Sequence, residues 1–186
     1  MDAGEEKTMS EDNMKASDDI KMSEDMTASP PPAKIAVIGC GWWSQGRHLP
    51  HLARNAPHVK IAAVVDPTRK PHCTLSSSPP LCLSELSKKY NCPCFASVSE
   101  LLADPIGPTL DGVVVATSHA SHFDVGISLL NEGIYRRQMA EGGVHRALHI
   151  LMEKPMTTEV DEARRLWEMS AKEYPEGEYI LLKFSI

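Results

Sequence analysis

The sequence lacks any long apolar run: no stretch of its 186 residues approaches the roughly 20 residues that a membrane-spanning helix needs. It also lacks the G-x-S-x-G nucleophile elbow, the Walker lysine and the HExxH motif. The first 30 residues have neither the apolar region of a signal peptide nor the arginine-rich character of a transit peptide. These absences exclude several hydrolase classes and predict a cytoplasmic protein that does not bind a membrane.

Cysteine is sparse, and its pattern is not that of a metal site. The five cysteines form no C-x-x-C pair, and no histidine joins them at a metal-ligand spacing. Cys92-Pro-Cys94 could bind a metal or form a redox pair, although two ordinary residues entering a strand are the simpler interpretation. No carboxylate or cysteine joins His48, His51 and His58 at a useful spacing, which favours solvated or edge residues over ligands. The sequence therefore predicts reduced thiols and no metal.

The net charge of the chain comes from its N-terminal segment. Residues 1–30 hold nine acidic residues and three lysines, whereas the remaining residues hold sixteen charges of each sign. Met9-Ser-Glu-Asp12 recurs as Met22-Ser-Glu-Asp25 before a run of prolines. This composition predicts a disordered acidic tail over residues 1–33, solvated or binding a partner. The neutral remainder provides no electrostatic argument for nucleic-acid binding.

The most informative stretch, Lys34–Arg47, reads KIAVIGCGWWSQGR. Its continuous apolar run is typical of a strand buried on both faces of a parallel sheet. Gly39 can adopt the positive φ of a tight turn, and Gly41 leaves the backbone open to a phosphate at the next helix. Ser44 occupies the third position of the G-x-G-x-x-G pattern. Alone, this stretch is equally compatible with an ordinary strand-to-helix turn.

Strands and helices alternate through the rest of the chain. The predicted strands are Val59–Val65, Cys94–Ala96, Gly112–Ala116 and His149–Met152, with a further strand possible at Tyr179–Phe184. The predicted helices are Gln45–Asn55, Leu83–Tyr90, Val98–Ala103, Phe123–Asn131 and one that opens with a Thr158-x-x-Asp161 capping box and places Ala163, Leu166 and Trp167 on its core face. Insertions are expected at residues 71–80 and 134–148. The pattern predicts one α/β domain over residues 34–186, with a doubly wound, mainly parallel, Rossmann-like sheet.

An acidic residue follows the second predicted strand. Asp66 stands 22 residues after Ser44, the position at which a dinucleotide fold binds the adenosine ribose hydroxyls. A carboxylate there disfavours a 2′-phosphate and so favours NAD, while Arg69 and Lys70 leave NADP open. The alternative is an Asp that only caps the turn before Pro67.

Four segments together resemble one family. KIAVIGCGWWSQG, VVDP, VVVATSHASH and HILMEKPMTTEVDEARRL are similar to the N-terminal NAD(P)-binding domain of the Gfo/Idh/MocA oxidoreductases, over about residues 34–173. The resemblance implies a dinucleotide site with Lys154 as the catalytic lysine beside the nicotinamide and substrate. The implied cofactor-binding residues are Gly39, Gly41, Trp42, Ser44, Asp66, Thr117, His119, His122, Glu153 and Lys154.

The resemblance also carries departures and alternatives. Ser118 replaces a frequent proline, His119 replaces a frequent asparagine, and the family's C-terminal substrate domain is not present in this sequence. Members act on sugars, cyclic polyols or dihydrodiols, and a homo-oligomer is expected of the full-length form. Three hypotheses follow: an oxidoreductase represented by its cofactor domain, a noncatalytic dinucleotide-binding module, or a fragment that does not fold stably. Lys154 taken alone could be an exposed turn lysine.

Overall fold

A computed structural model describes residues 29–68, 80–139 and 148–173 of the chain. The chain divides into two units, Met1–Pro30 and Pro31–Ile186, and every described helix and strand belongs to the second. Three predicted features lie largely or wholly outside the described residues. They are the acidic tail, the insertion at 71–80 and the strand Tyr179–Phe184. Within those ranges, no helix is both long enough and apolar enough to cross a bilayer.

Five parallel strands form one sheet in the order β3-β2-β1-β4-β5. The strands are β1 (Ala33–Ile38), β2 (Val59–Val65), β3 (Cys94–Phe95), β4 (Gly112–Val115) and β5 (His149–Met152). Their apolar residues are continuous because both faces of the sheet are covered, as the sequence predicts. The predicted doubly wound, Rossmann-like α/β fold is confirmed.

Helices pack on both faces of the sheet. They are α1 (Leu49–Arg54), α2 (Leu83–Tyr90), α3 (Val98–Ala103), α4 (His122–Met139) and α5 (Val160–Glu173). On one face, Val37 and Val64 pack with Leu49 of α1 and Leu86 of α2. The core on the other face is formed by alternate strand residues with α3, α4 and α5, and it includes Ala36, Ile38, Leu101, Leu129 and Leu166. Neighbouring strand residues therefore point into different cores.

The chain leaves β1 and β4 on opposite faces of the sheet. The segment after β1 leads into α1, whereas the segment after β4 leads into α4 on the other face. Because β1 and β4 are neighbours, their carboxyl ends open a crevice between the two connections. This switch point is where open α/β sheets bind ligands.

Helix α4 is longer than the sequence pattern predicts. The predicted end is Asn131 and the predicted interruption begins at residue 134, but the helix continues to Met139. The reason is Arg136, whose guanidinium donates to the Leu110 and Gly107 carbonyls at 2.9 and 2.6 Å and pairs with Glu132. A charged residue within the predicted interruption thus anchors the helix. Residues 140–147 lie outside the described part of the chain.

Two smaller expectations are wrong. Trp167 is 61% exposed and does not belong to the core, whereas Leu166 beside it is buried. The capping box is absent because α5 begins at Val160, one residue later, and Asp161 accepts a hydrogen bond from Arg164 instead of closing the box. The first predicted helix, Gln45–Asn55, is present, and it consists of a π-helical segment, Ser44–His48, followed directly by α1.

Candidate functional site

Gly39 is required where β1 ends. Its φ is +88°, a conformation that side chains with a Cβ rarely adopt. A Cβ atom at Gly39 would lie 2.5 Å from the Ala116 carbonyl oxygen and 2.6 Å from the Thr117 nitrogen. The turn after β1 is therefore packed directly against the backbone at the end of β4.

Ser44 fills the third position of the glycine pattern without disturbing it. The side chain is completely buried, and its hydroxyl donates a hydrogen bond to the Gly39 carbonyl oxygen. A small hydroxyl side chain thus ties the first turn of the following helix back to the end of β1. Close packing between helix and strand, which a glycine would permit, is achieved here with serine.

Gly41 has no comparable role in packing. Apart from its immediate chain neighbours, no heavy atom of the described residues would lie within 4 Å of a Cβ atom built on it. The neighbouring Trp42 is 66% exposed. The backbone at Gly41 therefore faces open space at the start of a helical segment, which is the geometry that a phosphate group needs. The residues present fit the diphosphate of a dinucleotide.

Gln45 anchors the glycine turn through hydrogen bonds of its side-chain amide. The sequence pattern does not predict this role. Its side-chain amide donates to the Cys40 and Leu81 carbonyls at 2.8 and 2.9 Å. Its amide oxygen accepts from the Leu81 nitrogen at 2.8 Å. The turn is thereby tied to the segment that leads into α2.

Asp66 follows β2 and contacts the same turn. One carboxylate oxygen accepts from the Cys40 backbone nitrogen at 2.7 Å, and the other accepts from the Thr68 nitrogen at 2.7 Å. Asp66 therefore does cap the turn before Pro67, as the alternative interpretation predicts. A carboxylate can accept about four hydrogen bonds, so these two leave acceptor capacity at the carboxyl end of β2.

His122 links the loops that follow β4 and β5. It has no exposed surface, and its ring nitrogens lie 2.8 Å from the Pro155 carbonyl oxygen and 3.3 Å from that of Thr117. His119, by contrast, is exposed and meets the His122 ring edge-on. Of the two predicted histidines, His119 lies on the surface, whereas His122 is buried and connects the loops after β4 and β5.

Glu153 is the centre of a polar cluster that joins β5 to the glycine turn. Its Oε1 atom accepts from the Trp43 indole nitrogen at 2.9 Å and lies 2.8 Å from Nε2 of His48. Burial raises the pKa of Glu153, but hydrogen bonds from Trp43 and His48 outweigh it and hold the pKa below its usual range. The interpretation of His48 as a residue without a carboxylate partner is wrong, because its partner is distant in sequence.

Lys154 directly follows Glu153 and is exposed. The Lys154 backbone nitrogen lies 3.4 Å from Oε2 of Glu153. Among the described residues, no hydrogen bond or ion pair involves the Lys154 ammonium group. A cation at the carboxyl end of β5 is therefore available to a bound molecule.

Burial disfavours the thiolate form of two cysteines, Cys40 and Cys92. Burial, followed by the Asp66 carboxylate, raises the pKa of Cys40 to about 12, and burial raises the pKa of Cys92 to about 11. The described cysteines are all free. Over the same residues, no three histidine, cysteine or acidic side chains are grouped to hold a metal ion.

Comparison with known proteins identifies the arrangement. The model of the oxidoreductase family with an NAD-binding Rossmann fold, GFO_IDH_MocA, matches residues 33–174. The chain is similar to the WlbA dehydrogenase from Bordetella pertussis, solved with NADH and UDP-GlcNAcA, at 20% identity and a TM-score of 0.57. That match covers 76% of this chain and 35% of the dehydrogenase.

Two further solved structures share the fold. KijD10, a 3-ketoreductase from Actinomadura kijaniata solved with NADP and TDP-benzene, is 21% identical over 76% of this chain and 35% of its own, with a TM-score of 0.55. A D-galactose-1-dehydrogenase from Rhizobium etli is 20% identical over 78% of this chain and 36% of its own, with a TM-score of 0.53. The chain thus spans about a third of the length of the structures that it matches.

Proposed function

The chain belongs to the Gfo/Idh/MocA oxidoreductase family and carries its NAD-binding Rossmann domain, and from this premise we propose that it serves hydride transfer between a nicotinamide dinucleotide and a sugar-type substrate. One observation carries the proposal for this site. Gly39 is needed for packing, whereas Gly41 faces open space and has no packing role. A second glycine that the fold does not require is explained by a diphosphate that approaches the bare backbone.

The site residues have distinct proposed roles. Gly41 and the helical segment after it hold the diphosphate, with Trp42 beside it, while Gly39 and Ser44 shape the turn. Asp66 accepts from the adenosine ribose hydroxyls. The cofactor-side residues of the other two loops are Thr117, His119, His122, Glu153 and Lys154, of which His122 acts through the loops that it joins.

Lys154 is the proposed catalytic residue. The bound dinucleotide supplies the hydride acceptor or donor. When a hydroxyl is oxidised, Lys154 in its neutral amine form accepts the hydroxyl proton at Nζ and becomes an ammonium group. When a carbonyl is reduced, the Lys154 ammonium group donates that proton to the oxygen. The exposure of Lys154 and its lack of a partner among the described residues support this role.

NAD is the proposed cofactor in preference to NADP. The Asp66 carboxylate would repel a 2′-phosphate, and its two backbone contacts hold it in place at the end of β2. Arg69 and Lys70, which would favour NADP, lie outside the described residues. Proteins that share the fold are solved with either cofactor, since WlbA is solved with NADH and KijD10 with NADP.

The substrate is proposed as a sugar, a cyclic polyol or a dihydrodiol. The dehydrogenase and ketoreductase structures that share the fold are solved with UDP-GlcNAcA and TDP-benzene, and a third is a galactose dehydrogenase. A noncatalytic dinucleotide-binding module is the second candidate. The glycine turn and Asp66 would serve such a module without any role for Lys154.

Calorimetric titration of the chain with NADH tests the proposal. We expect binding by the wild type and its loss in Gly41→Val, whose side chain would fill the space over the turn. Gly46→Val is the matched control, because a Cβ at Gly46 also meets open space but lies one turn further along the helix. Equal binding by the wild type and Gly41→Val would reject the assignment of the diphosphate site.

Lys154→Ala separates the enzyme from the binding module. If the chain, or a longer protein that contains it, turns over a substrate, this variant should retain NADH binding and lose turnover. Turnover that survives would remove Lys154 from the mechanism.

Two further proposals concern the whole protein. A cytoplasmic location is supported by the free thiols, and a homo-oligomeric full-length form is supported by the family.

A further inference from the structure

The cluster around Glu153 connects two parts of the site that the proposed function treats separately. We propose that Trp43 and His48 are positioning residues that hold Lys154 through the Glu153 carboxylate and couple dinucleotide binding at the glycine turn to that lysine. The inference rests on the proposed function for its second half, whereas the positioning of Lys154 does not depend on a ligand.

The contacts form a continuous chain from the turn to the lysine. Trp43 stands two residues after Gly41, and its indole N–H donates to Oε1 of Glu153 at 2.9 Å. His48 lies 2.8 Å from the same oxygen. The other carboxylate oxygen faces the Lys154 backbone nitrogen at 3.4 Å. A displacement of the segment after Gly41 must therefore move or break the contacts beside Lys154.

The local helix geometry explains why Trp43 and His48 reach one oxygen atom. In an α-helix, residues five apart point about 140° away from each other, because each residue turns the helix by about 100°. The segment Ser44–His48 is π-helical, and the Leu49 nitrogen bonds to the Ser44 carbonyl five residues back. Such wider turns bring residues five apart onto the same side and occur frequently at functional sites.

The charge on Glu153 suits this role. Hydrogen bonds from an indole and an imidazole stabilise the ionised carboxylate, which accepts and does not donate. Trp43 is 37% exposed, with the Arg47 guanidinium 5.7 Å from its ring centroid. A half-exposed indole could satisfy its N–H with water, so the fold does not need this bond for burial. The Trp43 hydrogen bond therefore serves to hold the Glu153 carboxylate in place.

The test uses the full chain with its lysines reductively methylated with carbon-13, a modification that keeps their charge. The Lys154 signal in the NMR spectrum is assigned with Lys154→Arg. It is then measured with and without NADH in the wild type, in Trp43→Phe and in Glu153→Gln. Trp167→Phe is the matched control, since it makes the same substitution at an exposed tryptophan on α5.

We expect Trp43→Phe and Glu153→Gln to shift the Lys154 signal in the free protein and to lose the shift that NADH induces in the wild type. Trp167→Phe should change neither. A Lys154 signal that behaves identically in the wild type and both variants overturns the inference, whether or not the variants bind NADH. A wild type that binds no NADH by calorimetry rejects the proposed function and the coupling, and the free-protein spectra then decide the positioning alone.

Discussion

The imidazole of His122 joins the loops after β4 and β5, with its Nδ1 atom 2.8 Å from the carbonyl oxygen of Pro155. The Thr117 carbonyl lies 3.3 Å from Nε2. Both neighbours are carbonyl oxygens and can only accept, so the shorter distance identifies Nδ1 as the donor to Pro155. The loop that carries Lys154 is therefore held from inside the protein as well as through Glu153.

Replacing His122 should separate this hydrogen bond from packing. His122→Ala leaves the Pro155 carbonyl without its donor, and we expect the free energy of unfolding to fall by about 1–3 kcal/mol. His122→Asn places an amide N–H close to the position of Nδ1 and should restore part of the loss. Urea unfolding of the three proteins measures the difference. Equal loss in both variants would mean that only the volume of the ring matters.

Gly39→Ala should be strongly destabilising. The left-handed conformation costs about 1–2 kcal/mol, and the contact with the Ala116 backbone adds about 1–3 kcal/mol of overpacking. Thermal or urea unfolding measures the sum. Gly41→Ala is the contrasting variant and should leave stability nearly unchanged, since its Cβ meets no protein atom within 4 Å. A Gly39→Ala chain as stable as the wild type would contradict the described turn.

Asp66→Asn should weaken NADH binding and reduce the preference for NADH over NADPH. The amide oxygen can still accept from one of the two backbone nitrogens, but the charge that the ribose hydroxyls and a 2′-phosphate would meet is gone. Loss of a charge-assisted hydrogen bond costs about tenfold or more in affinity. Parallel titrations with NADH and NADPH measure both effects. An unchanged ratio of affinities would leave Asp66 with turn capping alone.

The contribution of Glu153 to the free energy of unfolding should depend on pH in the acid range. Its pKa is held below the ordinary value of 4.5 in the folded chain. Its stabilising effect is therefore complete above that value and is lost as the pH falls through the lowered pKa. The stability difference between the wild type and Glu153→Gln should be constant near neutrality and shrink on acidification. A difference that does not change with acid would argue against the ionised cluster.

Thiol alkylation should discriminate among the cysteines. Cys94 is exposed, whereas Cys40 is buried with its pKa raised to about 12. Only a thiolate reacts readily, so iodoacetamide at pH 8 should modify Cys94 in the folded chain and Cys40 only after unfolding. Mass spectrometry of digested samples locates the modification. Modification of Cys40 at the rate of Cys94 would show that the turn opens.

The sequence predicted those features that depend on local pattern. The run Gly112–Val115 is apolar throughout because both faces of β4 are covered, so its assignment as a buried parallel strand needed no distant information. The positive φ of Gly39 could likewise be predicted from the turn that follows a buried strand. Residue type and neighbours were sufficient in both cases.

Features that depend on distant partners were missed. The end of α4 is set by Arg136, whose carbonyl partners Gly107 and Leu110 precede the helix by a whole strand. His48 meets Glu153 across 105 residues, and no spacing rule connects them. Leu166 and Trp167 were both assigned to the core by periodicity, but only Leu166 packs there, whereas Trp167 is 61% exposed.

The two glycines of the turn are exposed to different kinds of selection. The atoms that a Cβ at Gly39 would meet belong to the backbone of Ala116 and Thr117, and every amino acid has them, so no substitution at a neighbouring position can compensate for losing this glycine. Gly41 is under no such constraint from folding. In a lineage that had ceased to use the dinucleotide, the second glycine would drift to other residues while the first persisted, and orthologous sequences would record when that happened.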